Sequence, residues 1–196
     1  SKQTYSWINY RKVLNDEFDI QSGHIESVHS YTNDQNLIDN FHKKVRRGRS
    51  AALNMVITET GAGKAVGQVL PELKGKLTAN AVRVPTPNVS LAIINLRFAK
   101  DITLEELNDF LRQKAFHSDL KEQIGFTNSP EVVSTDFVGD RHAGIIDSAA
   151  TIVNGNKCVL YVWYDNEFGY TAQLLGLAKE MVGLTYQRYP NFSEST

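Results

Sequence analysis

The stretch Ile152-Val153-Asn154-Gly155-Asn156-Lys157-Cys158-Val159-Leu160-Tyr161-Val162-Trp163-Tyr164 decides the fold class. Asn154-Gly155 suits a tight hairpin turn, and it stands between two apolar runs, over 144–153 and 158–164, that read as strands. Strands joined this way pair antiparallel. Working outward, the run 90–98 places Ala92, Ile94, Leu96 and Phe98 on one face. Its other face, Leu91, Ile93, Asn95 and Arg97, is expected to be partly wet. Further strands are expected over 51–58 and 79–84, and a short one leads into Val28-His29-Ser30-Tyr31-Thr32.

Helices are expected in four places. Residues 7–18 mix apolar and charged side chains at helical spacing. Thr103-Leu104-Glu105-Glu106 is a capping-box pattern, and Leu104, Leu107 and Leu111 then share a face with Phe110 beside them. Leu174, Ala178 and Met181 recur at three and four residues, with Leu175 and Val182 near them. Residues 61–70, opened by Thr60, form a shorter candidate. Strand clusters with helices between them make an α+β domain, not a doubly wound sheet.

The chain has 196 residues, 41% of them hydrophobic and 22% charged, with a formal net charge of −1. A domain of this size buries roughly 70% of its unfolded surface and needs no staple. The composition excludes a disordered chain, and the near-neutral charge supplies no field toward nucleic acid or an acidic membrane. A single cysteine, Cys158, permits no internal disulfide. It lies in an apolar strand and reads as a small core hydrophobe. No apolar run approaches the ~20 residues of a membrane span, and no signal-peptide pattern opens the chain. A cytoplasmic protein without nucleic-acid or membrane partners is expected. One domain over 1–188 and a tail over 189–196 are expected, since no linker or repeat divides the chain.

Several motifs carry chemistry. Gly61-Ala62-Gly63-Lys64-Ala65-Val66-Gly67 fails as a P-loop, because its spacer is short and Lys64 is followed by Ala65. It also lacks the spacing and the acidic partner of a dinucleotide fingerprint. As a helix start after Thr60 it suits an anion, or it serves as a cap alone. The five histidines show no zinc spacing, so no metal site is expected. His29, at a strand end beside hydroxyls, is a candidate general base. The basic run Lys43-Lys44, Arg46-Arg47, Arg49 is broken by Gly48 and reads as a solvated or subunit-facing loop, with room for one arginine to meet an anion. Arg83, before Pro85-Thr86-Pro87, either grips a carboxylate or phosphate or pairs with a core acid. The run 163–170 is an aromatic turn whose Asn166 can read an amide or hydroxyl of a ligand.

Taken together, several stretches resemble the C-terminal catalytic domain of glyceraldehyde-3-phosphate dehydrogenases. They are Gly48-Arg49-Ser50-Ala51-Ala52, Thr60-Gly61-Ala62, Lys64-Ala65-Val66-Gly67, Leu70-Pro71-Glu72-Leu73, Arg83-Val84-Pro85-Thr86-Pro87-Asn88-Val89-Ser90 and Trp163-Tyr164-Asp165-Asn166-Glu167-Phe168-Gly169-Tyr170. The similarity runs from about Val13 to about Met181. It implies a mixed, mainly antiparallel sheet with helices on one face. It also implies an NAD-dependent oxidation of a phosphorylated aldehyde, glyceraldehyde 3-phosphate, by a thiolate, with inorganic phosphate cleaving the thioester. By this resemblance His29 is the catalytic base. Thr32 and Arg83 hold the substrate phosphate, and Thr60 with Gly61 holds inorganic phosphate. Asn166 and Tyr170 meet the nicotinamide, and the protein is a homo-oligomer, in the family a tetramer.

Three departures from the family pattern stand out. The family's Ser-Cys-Thr-Thr-Asn motif, counted back from Val13, falls on Ser1-Lys2-Gln3-Thr4-Tyr5, with Lys2 in place of the nucleophile. The nucleotide-binding domain is not in this chain. Ile57-Thr58-Glu59 replaces the usual Pro-Ser-Ser, so Glu59 either repels phosphate or points to solvent. The isolated chain is therefore expected to be inactive. A related enzyme of erythrose 4-phosphate, or a non-catalytic assembly or binding module keeping the fold, are the alternatives.

Overall fold

The computed structural model describes residues 8–60 and 70–184. Gly61, nearly all of the helix expected over 61–70, and the tail at 189–196 lie outside the described residues. Helix α1 (Ile8–Phe18) ends where Asp19 takes φ 51° and still donates its N–H to Asn15 O at 3.0 Å. Aspartate is among the few side chains that visit this left-handed region readily. The Asn15 side chain accepts the N–H of Ile20 at 3.2 Å, and β1 (Ile20–Ser30) starts at once. Thus β1 is a full central strand of 11 residues rather than the short strand expected.

The chain continues through β2 (Val56–Thr58), β3 (Leu77–Val84), β4 (Ser90–Phe98), α2 (Leu104–His117), β5 (Ile124–Thr127), β6 (Gly144–Asp147), β7 (Ile152–Asn154), β8 (Lys157–Tyr164) and α3 (Phe168–Met181). The strands form one sheet in the order β2-β3-β1-β4-β8-β6-β5, with β7 also paired to β8. β1 runs parallel to β3, and β5 to β6; the other pairings are antiparallel. This is the mixed α+β sheet expected. Gly155 takes φ 59° in the β7–β8 turn, the conformation the Asn-Gly pair is there to provide.

One face of the sheet is closed by α1 and α2. Leu14 from α1 and Leu107, Leu111 and Ala115 from α2 pack with Ile25, Ile94, Leu96, Phe98 and Leu160 of the sheet. The Phe18 ring lies 5.2 Å from Phe98 and 5.1 Å from Phe110, tying the two helices to β4. The capping box forms: Glu106 N donates to Thr103 Oγ1 at 3.1 Å, and Thr103 N donates to Glu106 Oε2 at 2.7 Å. On β4, Ala92, Ile94, Leu96 and Phe98 are buried, while Arg97 is exposed and Leu91, Ile93 and Asn95 are half-buried.

Several expectations needed correcting. Only Val56–Thr58 of the run 51–58 is a strand. Leu53 N and the Asn54 side chain both donate to Ser50 O, so the earlier residues turn. The run 144–153 breaks at Asp147, whose carboxylate accepts Ala150 N at 3.1 Å and whose carbonyl accepts Thr151 Oγ1 at 3.0 Å. β3 begins at Leu77 rather than at 79. Leu104 is exposed, because the buried stripe of α2 follows Leu107, Leu111 and Ala115 and leaves the first turn outside it. Along α3 the periodicity located the helix, yet Leu174, Leu175, Met181 and Val182 are exposed. Among the described residues, no helix is long and apolar enough to cross a membrane.

Candidate active site

The parallel register of β1 and β3 sets His29 opposite Arg83. Residues 54 apart in sequence thus share one end of the sheet. Arg83 Nη1 lies 2.5 Å from His29 Nδ1 and donates to Ser30 O at 2.9 Å. His29 Nδ1 itself lies 2.7 Å from Ser30 O. The imidazole is 4% exposed and meets the Tyr164 ring edge-on at 6.4 Å. Burial first, and the charge of Arg83 second, push the His29 pKa down to about 4. The ring is therefore neutral at neutral pH, as a general base must be. Burial and the neighbouring Arg47 also lower the pKa of Arg83, though a guanidinium keeps its charge throughout.

Arg47 is the member of the basic run that the fold selects. It forms an ion pair with Asp34, and its Nε and Nη2 donate to Thr58 Oγ1 at 3.0 and 2.9 Å. Its charge is felt by Arg83, although Asp34 already pairs with it. Sequence reasoning allowed one arginine of the run to meet an anion without saying which, because nothing local distinguishes Arg47 from its neighbours. Glu59 is 93% exposed, with Lys44 Nζ 3.9 Å away, so its carboxylate turns to solvent.

Asn166 comes to the same end of the sheet from the β8–α3 turn. Ser90 Oγ donates to Asn166 Oδ1 at 2.5 Å, and Asn166 Nδ2 reaches Ser30 Oγ at 3.4 Å. Ser30 Oγ in turn donates to Val89 O at 3.2 Å. Val89 has φ 63°, a costly conformation for a β-branched residue, of order 1–3 kcal/mol. Its burial with Phe137 and Ile145 holds it there. Asp165, buried beside Asn166, gathers four donors. Its Oδ1 accepts Glu167 N and Phe168 N, and its Oδ2 accepts Gly139 N and Asn88 Nδ2. It braces the start of α3 and ties two loops to it, a role sequence reasoning passed over. Ser27 and Tyr164 share a 2.6 Å hydrogen bond behind His29.

The structure thus brings His29, Arg83 and Asn166 together. Thr32 lies two residues past β1, in a turn where its carbonyl accepts Gln35 N at 2.9 Å. Thr60 lies two residues past β2, and half-buried Tyr170 sits in the first turn of α3. Gly61 lies outside the described residues. Cys158 is 3% exposed within the core, and burial pushes its thiol up to about 12, so it is a packing residue and not a nucleophile. Among the described residues, no group of three or more His, Cys, Asp or Glu side chains is placed to hold a metal ion.

Fold and site define an α+β domain that presents a neutral imidazole against an arginine at one sheet end. A family model described as glyceraldehyde 3-phosphate dehydrogenase, C-terminal domain, matches residues 1–166. The chain belongs to that family. A glyceraldehyde-3-phosphate dehydrogenase-like protein of Pseudomonas aeruginosa (strain UCBPP-PA14) is 63% identical over 179 residues, covering 91% of this chain and 39% of that protein. The glyceraldehyde-3-phosphate dehydrogenase of Priestia megaterium is 47% identical over 171 residues, covering 87% of this chain and 50% of that protein. Glyceraldehyde-3-phosphate dehydrogenase 1 of Bacillus subtilis is 47% identical over 170 residues, with 86% and 50% covered. The chain spans about half the length of these relatives or less.

Proposed function

We propose that this chain is the catalytic portion of an NAD-dependent phosphorylating aldehyde dehydrogenase whose substrate is glyceraldehyde 3-phosphate. The contact of neutral His29 with Arg83 carries the reading, since it joins a base to an anion-binding group at one sheet end. His29 takes the proton of the attacking thiol and later serves the intermediate. Arg83 and Thr32 hold the substrate phosphate, and Thr60 with Gly61 receives inorganic phosphate. Arg47 adds a second fixed cation beside Arg83. Asn166 fits a nicotinamide carboxamide, because Ser90 fixes its oxygen while, among the described residues, its Nδ2 makes one long contact, to Ser30 Oγ. NAD, when bound, supplies the hydride acceptor. Cys158 cannot supply the thiolate, so turnover belongs to a longer protein of the relatives' length, and the isolated chain forms no NADH.

Assembly belongs to the same reading. The half-buried face of β4, Leu91, Ile93 and Asn95, lies beside Trp163, Tyr161 and Val159 of β8, opposite the face that α1 and α2 cover. A second copy of the chain is the occupant we assign to this mixed surface.

Titration with inorganic phosphate tests the site. Amide signals of Thr32, Thr60 and Arg83 are expected to move, with weak affinity that falls as salt rises and drops sharply in Arg83→Ala. If these signals stay still while other loops respond, the phosphate-holding roles are misassigned.

A further inference from the structure

We propose that Thr78 is a nucleophile in its own right: His24, oriented by Asn80 and Glu26, draws the proton from the Thr78 hydroxyl, and the oxygen takes the acyl group of an activated ester, thioester or acyl phosphate. The inference stands apart from the function proposed above. His24 precedes His29 on β1, and the alternation of the strand turns it to the opposite face, away from the core that Ile25 shares with α1 and α2.

The four side chains come from two neighbouring strands. Parallel pairing of β1 with β3 sets His24 opposite Thr78 and Glu26 opposite Asn80. Thr78 Oγ1 lies 2.8 Å from His24 Nδ1, and His24 Nε2 lies 2.9 Å from Asn80 Oδ1. Asn80 Nδ2 donates to Glu26 Oε1 at 3.3 Å.

The direction of each bond follows from the carboxylate end. A carboxylate only accepts, so the Asn80 NH₂ faces Glu26 and the carboxamide oxygen faces His24. That oxygen also only accepts, so His24 Nε2 carries the hydrogen. A neutral imidazole has one N–H, which leaves Nδ1 with a lone pair. Thr78 then donates its single hydroxyl hydrogen to Nδ1.

This order of groups activates a hydroxyl: a nucleophile, a base within hydrogen-bond reach, and a third group that orients the base. A carboxamide fills the third place in Cys-His-Asn sites, and such constellations are recognised by geometry and role rather than by fold. Thr78 is exposed, while His24, Asn80 and Glu26 are half-buried behind it. The oxygen is therefore open to dissolved acyl donors. An open sheet face offers little binding energy to distort a stable amide, so the donors it fits are those whose leaving group departs readily. In the step itself Thr78 Oγ1 attacks the carbonyl carbon, and its proton passes to His24 Nδ1. The bond from that carbon to the leaving oxygen or sulfur breaks. The leaving group takes the electron pair and then the proton from Nδ1, which returns the imidazole to its starting form and leaves O-acyl-Thr78.

The test is incubation of the chain with p-nitrophenyl acetate at pH 8, followed by peptide mapping of the acetyl group by mass spectrometry. Acetyl-Thr78 is expected in the parent. Thr78→Ser should keep the acetyl group at this position, and Thr78→Val should lose it. His24→Gln should slow its formation roughly 100-fold, the usual contribution of a general base. Asn80→Leu leaves the imidazole unoriented and should slow it as well, whereas Asn80→Asp keeps an acceptor for Nε2–H and should restore it. Should His24→Gln fail to fold by circular dichroism, the two Asn80 variants carry the comparison. Any of three results overturns the proposal: acetyl groups on lysines but none on Thr78, an unchanged rate in a folded His24→Gln, or equal rates in Asn80→Leu and Asn80→Asp.

Discussion

Replacing Asp165 by alanine should loosen the whole β8–α3 junction. Asp165 is 3% exposed, and its carboxylate accepts Glu167 N at 2.9 Å, Phe168 N at 2.8 Å, Gly139 N at 2.9 Å and Asn88 Nδ2 at 3.0 Å. Two of these are the N–H of Phe168, the first residue of α3, and that of Glu167 just before it, so the residue braces the start of the helix as a cap does, and its loss there costs about 1 kcal/mol. The other two join the 139 loop and the Asn88 turn, and leaving such partly buried donors unpaired costs about 1–2 kcal/mol each. The sum is about 4 kcal/mol, a large share of the 5–15 kcal/mol that holds a typical domain. With a urea slope of about 2 kcal/mol/M, the unfolding midpoint should fall by about 2 M. Asp165→Asn keeps one oxygen acceptor and turns an NH₂ toward donors, so it should lose about half as much. Urea unfolding followed by circular dichroism reads both. A midpoint shift under 0.5 M for the alanine variant (about 1 kcal/mol at that slope) would refute the hub assignment.

Two further outcomes follow from charge and surface. His29 has a native pKa of about 4 against its ordinary 6.5, so the unfolded chain binds the proton first and stability falls as pH drops through that window, by up to roughly 3 kcal/mol. His142, whose pKa Asp140 raises, acts in the opposite sense, losing its contribution as pH rises above 6.5. The readout is therefore the difference between the parent and His29→Gln in urea melts from pH 7 to pH 4, and identical pH slopes would sink the argument. The open face of β4 and β8 should make the chain self-associate, more weakly in Ile93→Lys. Sedimentation showing a monomer at every accessible concentration would leave that face without a second copy.

Much of this molecule is written locally. The Asn154-Gly155 turn, the Thr103 capping box and the alternation over 90–98 each depend on residues within a few positions of one another, so the sequence alone established the hairpin, α2 and the buried face of β4. Local sequence and then the family resemblance singled out His29, Arg83 and Asn166 as residues, and the apolar strand around it marked Cys158 as core. The tertiary structure decided what local pattern cannot carry. Parallel pairing of β1 with β3 spans 54 residues and alone sets Arg83 on His29. Arg47 became distinct from Arg46 and Arg49 only through Asp34 and Thr58. Asp165 became a hub only when the Asn88 and Gly139 segments converged on it. The break at Asp147 and the exposed stripe of α3 were also invisible to periodicity, which reports the spacing of apolar side chains and not what lies across from them.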